Sequence, residues 1–258
     1  MSYNPDSLCF TVDVEWAHPA VLDDLCTLFN AAGVTATFFA THPGVRVPGH
    51  NRGLHPNFRW KGDTGQAIRA ADPELFRTGD ETDFYRQVVA HSKAFAPEAK
   101  GVRAHSLFSD STLVSIYRAA GLEFDCTLQM TMTENLRPFA RWNGMLGIPT
   151  YFGDHFDLLT QTTGFSPDGL RLDRPGLKVL DFHPNIIFAN APDNDFYLRT
   201  KAFYHDPEKL RAARHTGRGA RTLLIELLER VAGGRVPVTT VDAINEAERR
   251  HLPQQGQA

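Results

Sequence analysis

A buried strand, an amphipathic helix and a second buried strand follow one another near the start of the chain, and this succession constrains the fold most. Residues 7–14 (SLCFTVDV) form an apolar, β-branched run that ends in acids, which predicts a buried strand. Residues 19–32 carry apolar side chains at helical spacing up to Gly33, and residues 34–40 (VTATFFA) predict another buried strand. A strand, helix and strand of this kind form a βαβ unit, which indicates a parallel sheet.

The alternation of strands and helices continues along the chain. The further predicted helices are 83–96, 111–120 and 220–231, and the further strands are 101–103, 122–128 and 177–184. A proline- and glycine-bounded stretch lies around 146–152, and 236–250 reads as a strand and a helix. About seven βα units result, which predicts an α/β, single-domain, complete or distorted (β/α) barrel over residues 1–258. A doubly wound open sheet is the alternative, but no GxGxxG motif follows the first strand. Two long loops, 51–80 and 153–175, are predicted to line a site.

Bulk properties exclude several classes of protein. The net charge of −3 gives no reason to expect nucleic acid or an anionic membrane as a partner. No apolar run could span a bilayer, and the start, MSYNPDSLCF, lacks the regions of a signal peptide, so we expect a cytoplasmic protein. Three widely spaced cysteines fit neither a disulfide framework nor a zinc ribbon. The oligomeric state stays open, and a homo-oligomer is compatible with the sequence.

Two acids end the first predicted strand. Asp13 and Glu15 are two residues apart, so on extended backbone they point to the same side. Two carboxylates in one space are costly unless a cation or a proton separates them. Either acid alone is equally well explained as part of a helix N-terminus, where acids are stabilising. The pair favours a cation site.

Histidines follow later strands. The tripeptide His-Pro-Asn occurs at 55–57 and again at 183–185. Proline disfavours helical geometry at the residue before it, so His55 and His183 are expected on extended backbone at strand ends. Reactive side chains of a parallel barrel collect at the carboxyl ends of its strands. Each histidine alone could be structural, but together with the paired acids they favour a metal site.

The ordered motifs resemble those of the polysaccharide deacetylases, which form carbohydrate esterase family four and share the NodB-homology fold. TVDVEW is similar to the first family motif, TATFFATHPG to the strand after it, GHNRGLHPNF to the second motif, VRAHSLF to the third and LDFHP to the last. Motif order and spacing cover most of the chain. The resemblance implies a distorted (β/α) barrel and a metal-dependent hydrolase of the deacetylase type that acts on carbohydrate.

The resemblance also implies roles for single residues. Asp13 would be the general base, Arg103 would orient it, and His183 would be the general acid. Glu15 and His55 would ligate the metal. The family's second histidine ligand falls four residues after the first, at a position that is Arg59 in this chain, and arginine cannot ligate because it stays protonated.

The third ligand must therefore come from elsewhere. Asn57 is the first choice, because it points to the same side as His55 on extended chain; His105 is the second choice and water the third. His50 is expected to support the loop from behind. The mixed oxygen and nitrogen donors favour zinc, and they also suit nickel, cobalt or iron.

The chemistry predicted for this site is amide hydrolysis. His183 would protonate the departing amine, with Asp154 or Asp157 as partner of its other nitrogen, whereas Asp181 is expected to point away from it. Substrate-binding roles are predicted for His105, Trp16 and Asp154.

A basic segment gives a clue to the substrate. Residues 199–221 contain seven Lys and Arg, and HTGRGAR precedes a predicted helix, which suggests an anion site for a nucleotide- or lipid-phosphate-linked sugar. A solvated basic loop is the alternative. The family resemblance, and not this segment, implies an N-deacetylase of an N-acetylated amino sugar in surface-polysaccharide synthesis. The rivals are a hydrolase of another C–N bond, in a cyclic ureide or a formamide, and a catalytically silent sugar-binding module.

Overall fold

The computed structural model describes residues 3–251, so residues 1–2 and 252–258 of the predicted domain lie outside the described part. Within it, one sheet contains nine strands. They are β1 Leu8–Asp13, β2 Thr37–Ala40, β3 Asn51–Leu54, β4 Gly101–Val102, β5 Phe124–Asp125, β6 Phe139–Ala140, β7 Leu146–Gly147, β8 Phe152–Gly153 and β9 Lys178–Phe182. Their order across the sheet is β6-β7-β5-β4-β3-β2-β1-β9-β8.

The sheet is parallel except at one edge, and it is curled. In the described residues only β6 runs antiparallel, against β7. Gln129, which follows β5, forms a parallel bridge with Thr150, which precedes β8, so distant parts of the sheet meet. The predicted α/β fold with a barrel-like sheet is thereby confirmed. The number of about seven βα units stays a prediction, because five strands are only two residues long.

Helices pack on both faces of the sheet. They are α1 Pro19–Ala31, α2 Asp63–Ala71, α3 Pro73–Thr78, α4 Glu81–Lys93, α5 Ser111–Ala119, α6 Asp154–Thr160, α7 Pro184–Ala189, α8 Asn194–Thr200, α9 Pro207–Ala212, α10 Ala220–Ala232 and α11 Val241–Arg249. Short polar residues start many of them: Asp80 and Asp110, for example, accept hydrogen bonds from backbone N–H groups of α4 and α5. Short 3₁₀ turns lie at His105–Leu107 and Lys201–Phe203.

Alternation along β1 and β9 separates the two faces of the sheet. Phe10 and Phe182 belong to the apolar cluster that includes the buried faces of α1, α7 and α10. Cys9 and Val179 belong to a different cluster, with residues of β2 and β5. Side chains two apart on a strand share a side. Thr11 of β1 and Asp181 of β9, two positions after Cys9 and Val179, therefore continue this second face.

Two predicted loops were partly wrong. Strand β3 and helices α2 and α3 lie within 51–80, and helix α6 lies within 153–175. These helices are short, so their apolar spacing covers too few turns to stand out from a loop. The short helices α7 to α9 were missed for the same reason. No helix in residues 3–251 combines the length and apolarity needed to cross a membrane.

Candidate active site

Polar side chains from separate parts of the sheet meet beyond the carboxyl ends of its strands. Asp13 ends β1, while Glu15, His55 and His183 follow β1, β3 and β9 within two residues. His105 begins the 3₁₀ turn three residues after β4. The carboxyl ends of parallel strands meet at one edge of a sheet, which explains why residues so distant in sequence converge.

Left-handed backbone positions two of these segments. Glu15 and Trp16 have φ of 50° and 54°, and Ser106 and Leu107 have φ of 58° and 52°. Non-glycine residues adopt this conformation at a cost, and such positions concentrate at functional sites. The Tyr204 hydroxyl donates to the backbone carbonyl of Glu15 at 2.6 Å and holds the first of these turns in place.

Glu15, His55 and His105 form a cluster with the donor atoms of a metal site. Nε2 of His55 lies 2.9 Å and Nδ1 of His105 lies 2.7 Å from the same Glu15 oxygen, Oε1. One ligand atom from each residue lies within 4.8 Å of the other two. Burial opposes ionisation of Glu15, but the two imidazoles outweigh it and hold the pKa of that carboxyl well below its usual range.

This cluster fits a divalent cation. One carboxylate and two imidazoles are a common donor set for zinc and similar ions. Nδ1 of His55 is buried and has no hydrogen-bond partner within residues 3–251. Burial lowers the pKa of His55, and the Asp13 and Glu15 carboxylates raise it by more, so a positive charge is favoured here. The structure thus brings together three donors that can hold a metal.

Asn57, the first choice of third ligand, and Arg59 both lie outside the three-residue cluster. Asn57 is buried, and its Oδ1 accepts a hydrogen bond from the backbone N–H of Arg59 at 3.1 Å, which closes a local turn. Its amide Nδ2 packs toward Gly62. The third member of the cluster is therefore His105, the second choice of ligand, and not Asn57, the first choice.

His50 lies away from this cluster. Its Nδ1 accepts the Ala36 backbone N–H at 3.3 Å, and its ring packs against Phe38. His50 lines a second cavity of about 640 Å³ together with Asn51, the first residue of β3, so that cavity lies at the amino end of the strand. It is larger than the cavity at the cluster, but it lacks a convergent set of acids and imidazoles. His50 therefore lies at the amino end of β3, and its support of the loop that carries His55 stays a prediction.

Arg103 binds two buried acids at once. Its Nη1 donates to Oδ1 of Asp13 at 3.0 Å and to Oδ1 of Asp181 at 2.5 Å. Its Nη2 donates to the hydroxyls of Thr11 and Thr150, at 2.9 and 3.1 Å. The side chain has no exposed surface, and the two carboxylates hold its pKa above the usual range despite burial. The guanidinium therefore fixes the orientation of Asp13.

The two acids bound to Arg103 titrate in opposite directions. Burial raises the pKa of Asp13, but His55 and Arg103 outweigh it, so the pKa is lowered and Asp13 stays ionised. Burial raises the pKa of Asp181 to about 8 against the pull of Arg103, and the neighbouring Asp13 carboxylate adds to the rise. Arg103 thus binds two carboxyl groups, and Asp13 is the one that stays ionised.

The expectation that Asp181 points away from His183 was wrong. Ligand atoms of Asp13, Asp181 and His183 all lie within 4.8 Å of one another. Residues two apart on extended backbone share a side, and Asp181 and His183 are two apart. Asp181 consequently belongs to the same polar group as the acids of β1.

Asp154 is the partner of His183. Its Oδ1 lies 2.6 Å from Nδ1 of His183, and its Oδ2 accepts the His183 backbone N–H at 2.8 Å. Burial lowers the pKa of His183, but its contact with the Asp154 carboxylate raises it by more, to about 10. Asp157, the other candidate, instead binds the Thr163 hydroxyl and backbone N–H. Asp154 is fully buried and does not line the cavity that His183 lines, so its geometry suits positioning of His183 better than contact with a substrate.

A cavity of about 390 Å³ opens over these residues. The buried or half-buried lining residues at the strand ends are called its base here: Asp13, Glu15, His105, Asp181 and His183. The other lining residues, most of them exposed, are called its wall: Arg59, Ser106, Leu107, Gly153, His155, Phe156, Tyr197 and Lys201. Trp16 packs edge-on against the His105 ring, with ring centroids 5.4 Å apart.

Sequence reasoning missed several of these wall residues. His155 and Tyr197 come from α6 and α8, which were not predicted as helices. Since α8 does not directly follow a strand, no strand-end rule could have found Tyr197. Lys201 was noted only as one of the seven Lys and Arg of residues 199–221.

The contacts of Arg218 and Arg221 contradict an anion site at HTGRGAR, the part of residues 199–221 that precedes α10. Arg218 pairs with Glu226 at 2.9 Å, and Arg221 pairs with Asp24 at 2.5 Å. Two backbone N–H groups at the start of α10 donate to the side-chain oxygen of Asn190. Because these donors already have partners inside the protein, HTGRGAR and the start of α10 stabilise the fold, whereas Lys201, near the other end of the basic segment, makes no ion pair among the described residues.

The fold has counterparts among known proteins. A family model described as "WbmS-like: Polysaccharide deacetylase" matches residues 10–201. WbmS from Bordetella bronchiseptica, described as a candidate polysaccharide deacetylase involved in O-antigen biosynthesis, is 28% identical, with a TM-score of 0.73 over 86% of this chain and 90% of that chain. A candidate polysaccharide deacetylase from Mycobacterium smegmatis is 16% identical, with a TM-score of 0.56 over 100% and 96%, a likeness of fold alone. No curated protein matched the sequence.

Proposed function

The chain belongs to the WbmS-like polysaccharide deacetylase family, and from that premise we propose that it is a metal-dependent hydrolase that removes acetate from an N-acetylated amino sugar. The family match agrees with the resemblance seen in the motifs. A role in surface-polysaccharide synthesis is supported by the O-antigen role described for the Bordetella relative.

One observation carries the proposal: a metal-type cluster, an ionised buried acid and a protonated imidazole line the same cavity. Glu15 and His105 represent the cluster, with Asp13 and His183 beside them. Amide hydrolysis at neutral pH needs an electrophile for the carbonyl oxygen, a base for water and an acid for the amine. The cavity brings a candidate for each within reach of one substrate group.

Glu15, His55 and His105 would hold the metal, and His105 replaces Asn57 as our choice of third ligand. When bound, a divalent ion, with zinc favoured, would polarise the amide carbonyl and acidify a water molecule. The two imidazoles and one carboxylate leave coordination positions open, as a catalytic site requires.

Asp13 and His183 would move the protons. Asp13 is held ionised by Arg103 and takes a proton from the attacking water. As the new C–O bond forms and the C–N bond breaks, His183 gives its proton to the leaving nitrogen. Its Nδ1 is engaged by Asp154, so Nε2 is the nitrogen available for this step. The products are acetate and the free amino sugar.

The rival functions make different use of the same residues. A cyclic ureide or formamide also has a C–N bond that a base and an acid could break, so residue roles do not separate these substrates. A silent sugar-binding module needs neither an ionised buried base nor a charged imidazole, and both are costly to bury. The Asp13 and His183 arrangement therefore favours hydrolysis over binding alone.

The test is a substrate panel with the purified, zinc-loaded protein. N-acetylated sugars, their formylated counterparts and a cyclic ureide are compared by release of acetate, formate or ring-opened product. Acetate release that is lost in Asp13→Asn and His183→Gln supports the proposal. Turnover of the ureide or the formamides in preference to the acetylated sugars, or sugar binding without any product, would overturn it.

A further inference from the structure

Arg59 stands at the position where the family resemblance expects a metal-binding histidine, and it lines the cavity instead. Its Nη2 donates to the Ser106 hydroxyl at 2.9 Å, which ties the turn after β3 to the turn that carries His105. A guanidinium has five N–H donors in a planar fork, so this contact leaves most of these donors available to a ligand. The side chain is exposed and has no carboxylate within salt-bridge distance in residues 3–251.

Lys201 lines another part of the same cavity. It begins the 3₁₀ turn after α8, and its ammonium lies 4.8 Å from the centre of the Tyr197 ring. This side chain is also exposed and, among the described residues, makes no ion pair. The contact with the Tyr197 ring holds the ammonium over the α8 side of the cavity.

These two cations differ from the nearby arginines of the chain. Arg218 and Arg221 are paired with Glu226 and Asp24, which neutralises them. The unpaired charges of Arg59 and Lys201 lie instead on the wall of a cavity whose base is rich in acids. Unpaired cations on a cavity wall raise the local concentration of anions and can bind them directly.

We propose that Arg59 and Lys201 bind an anionic oxygen group, carboxylate or phosphate, carried by the sugar whose acetamido group reaches the base of the cavity. This inference rests on the proposed deacetylase function and names the substrate class of that site. Arginine pairs with carboxylate and phosphate through two parallel N–H···O bonds, whereas lysine acts as a mobile point charge. A cavity of about 390 Å³ has room for a sugar ring with one such group.

The anion would also set the orientation of the sugar. The cationic groups lie on the wall and the proposed ligands and acid at the base. A sugar bound with its anionic group against Arg59 and Lys201 therefore presents another part of the ring to His183. A neutral sugar lacks this constraint and is bound more weakly in the productive orientation.

The experiment compares three ligands by calorimetry and by acetate release: N-acetylglucosamine, the uronic acid derived from it, and its anomeric phosphate. The wild-type protein should bind at least one anionic sugar roughly tenfold or more tightly than the neutral one. Arg59→Met and Lys201→Met should each remove most of that preference, and Arg59→Lys should keep only part of it, because the charge remains but the fork is lost.

Arg46→Met is the matched control, because Arg46 is also exposed but lines the cavity at the amino end of β3. It should keep the full preference. A preference for the uronic acid would identify a carboxylate as the bound group, and a preference for the phosphate would identify a phosphate. Equal binding of all three sugars, or an unchanged preference in both methionine variants, would overturn the inference.

Failure of this inference and failure of the proposed function look different. Acetate release from the neutral sugar with no preference for either anion contradicts the anion site and leaves the deacetylase intact. Tighter binding of an anionic sugar without acetate release from any of them supports the anion site and contradicts the deacetylase.

Discussion

The carboxylate of Asp154 engages His183 twice, through the imidazole Nδ1 at 2.6 Å and through the backbone N–H at 2.8 Å. The bond to the backbone N–H fixes the end of β9, which carries His183, so the bond to the imidazole Nδ1 has a defined geometry. With the carboxylate ionised, the imidazolium is favoured even in a buried position, and the pKa of His183 rises to about 10.

The Asp154→Asn substitution should move the pH dependence of catalysis. His183 acts while protonated, so activity falls as pH rises through its pKa. A neutral amide no longer stabilises the imidazolium, so the alkaline limb of the kcat profile should shift to lower pH. The control is Asp157→Asn on the same helix, where the lost hydrogen bonds to Thr163 should cost about 1–3 kcal/mol of stability and leave the limb unmoved. The same alkaline limb in wild type and Asp154→Asn would show that Asp154 does not govern the acid.

Metal content should separate the two candidates for the third ligand. His105→Ala removes a donor that lies 2.7 Å from the Glu15 carboxylate and should lose most of the bound metal. Asn57→Ala removes a side chain engaged with the Arg59 backbone and should keep a near-stoichiometric amount. Elemental analysis after gel filtration measures both. The opposite pattern would restore Asn57 as the ligand.

Metal affinity should weaken in acid. His55 must lose its proton to ligate, and its pKa is raised by the neighbouring carboxylates once burial is overcome. Protons therefore compete with the metal below that pKa, at about tenfold in affinity per pH unit for each proton released. Zinc titrations across mildly acid to mildly alkaline buffers measure this slope, and His50→Ala should not change it. A flat profile would mean that no imidazole binds the ion.

Removal of Arg103 should be strongly destabilising. Arg103→Met leaves Asp13 and Asp181 buried with no cation between them, which should cost about 3–5 kcal/mol in the free energy of unfolding. Urea denaturation measures the loss. Arg77→Met breaks an exposed pair with Glu74 and should leave the free energy of unfolding nearly unchanged, because solvent screens exposed ion pairs. Similar losses of stability in the two variants would show that the buried contacts of Arg103 with Asp13 and Asp181 stabilise the fold no more than an exposed ion pair does.

Much of the fold follows from local pattern. The apolar runs of β1 and β2 with helix α1 between them predict parallel pairing, and Gly33, with φ of 66°, ends the helix as its position suggested. The polar residues at strand ends predict where a site lies, because parallel strands bring those ends together.

The composition of the site is less predictable, because it depends on turns that have no repeating pattern. His105 reaches Glu15 through a turn with left-handed Ser106 and Leu107, a conformation that nothing in VRAHSLF requires. Asn57 was expected to share the side of His55, but its amide caps a local turn at Arg59, and such local bonds compete with extended geometry.

The central claim is that one divalent ion bound by Glu15, His55 and His105 supports deacetylation, and a metal titration tests it most directly. Protein stripped with a chelator is titrated with zinc while acetate release from the best N-acetylated sugar is measured. The account predicts no release from the stripped protein and a linear rise that stops at one zinc per chain. Full acetate release from stripped protein, or a rise unaffected by Glu15→Ala, would contradict it.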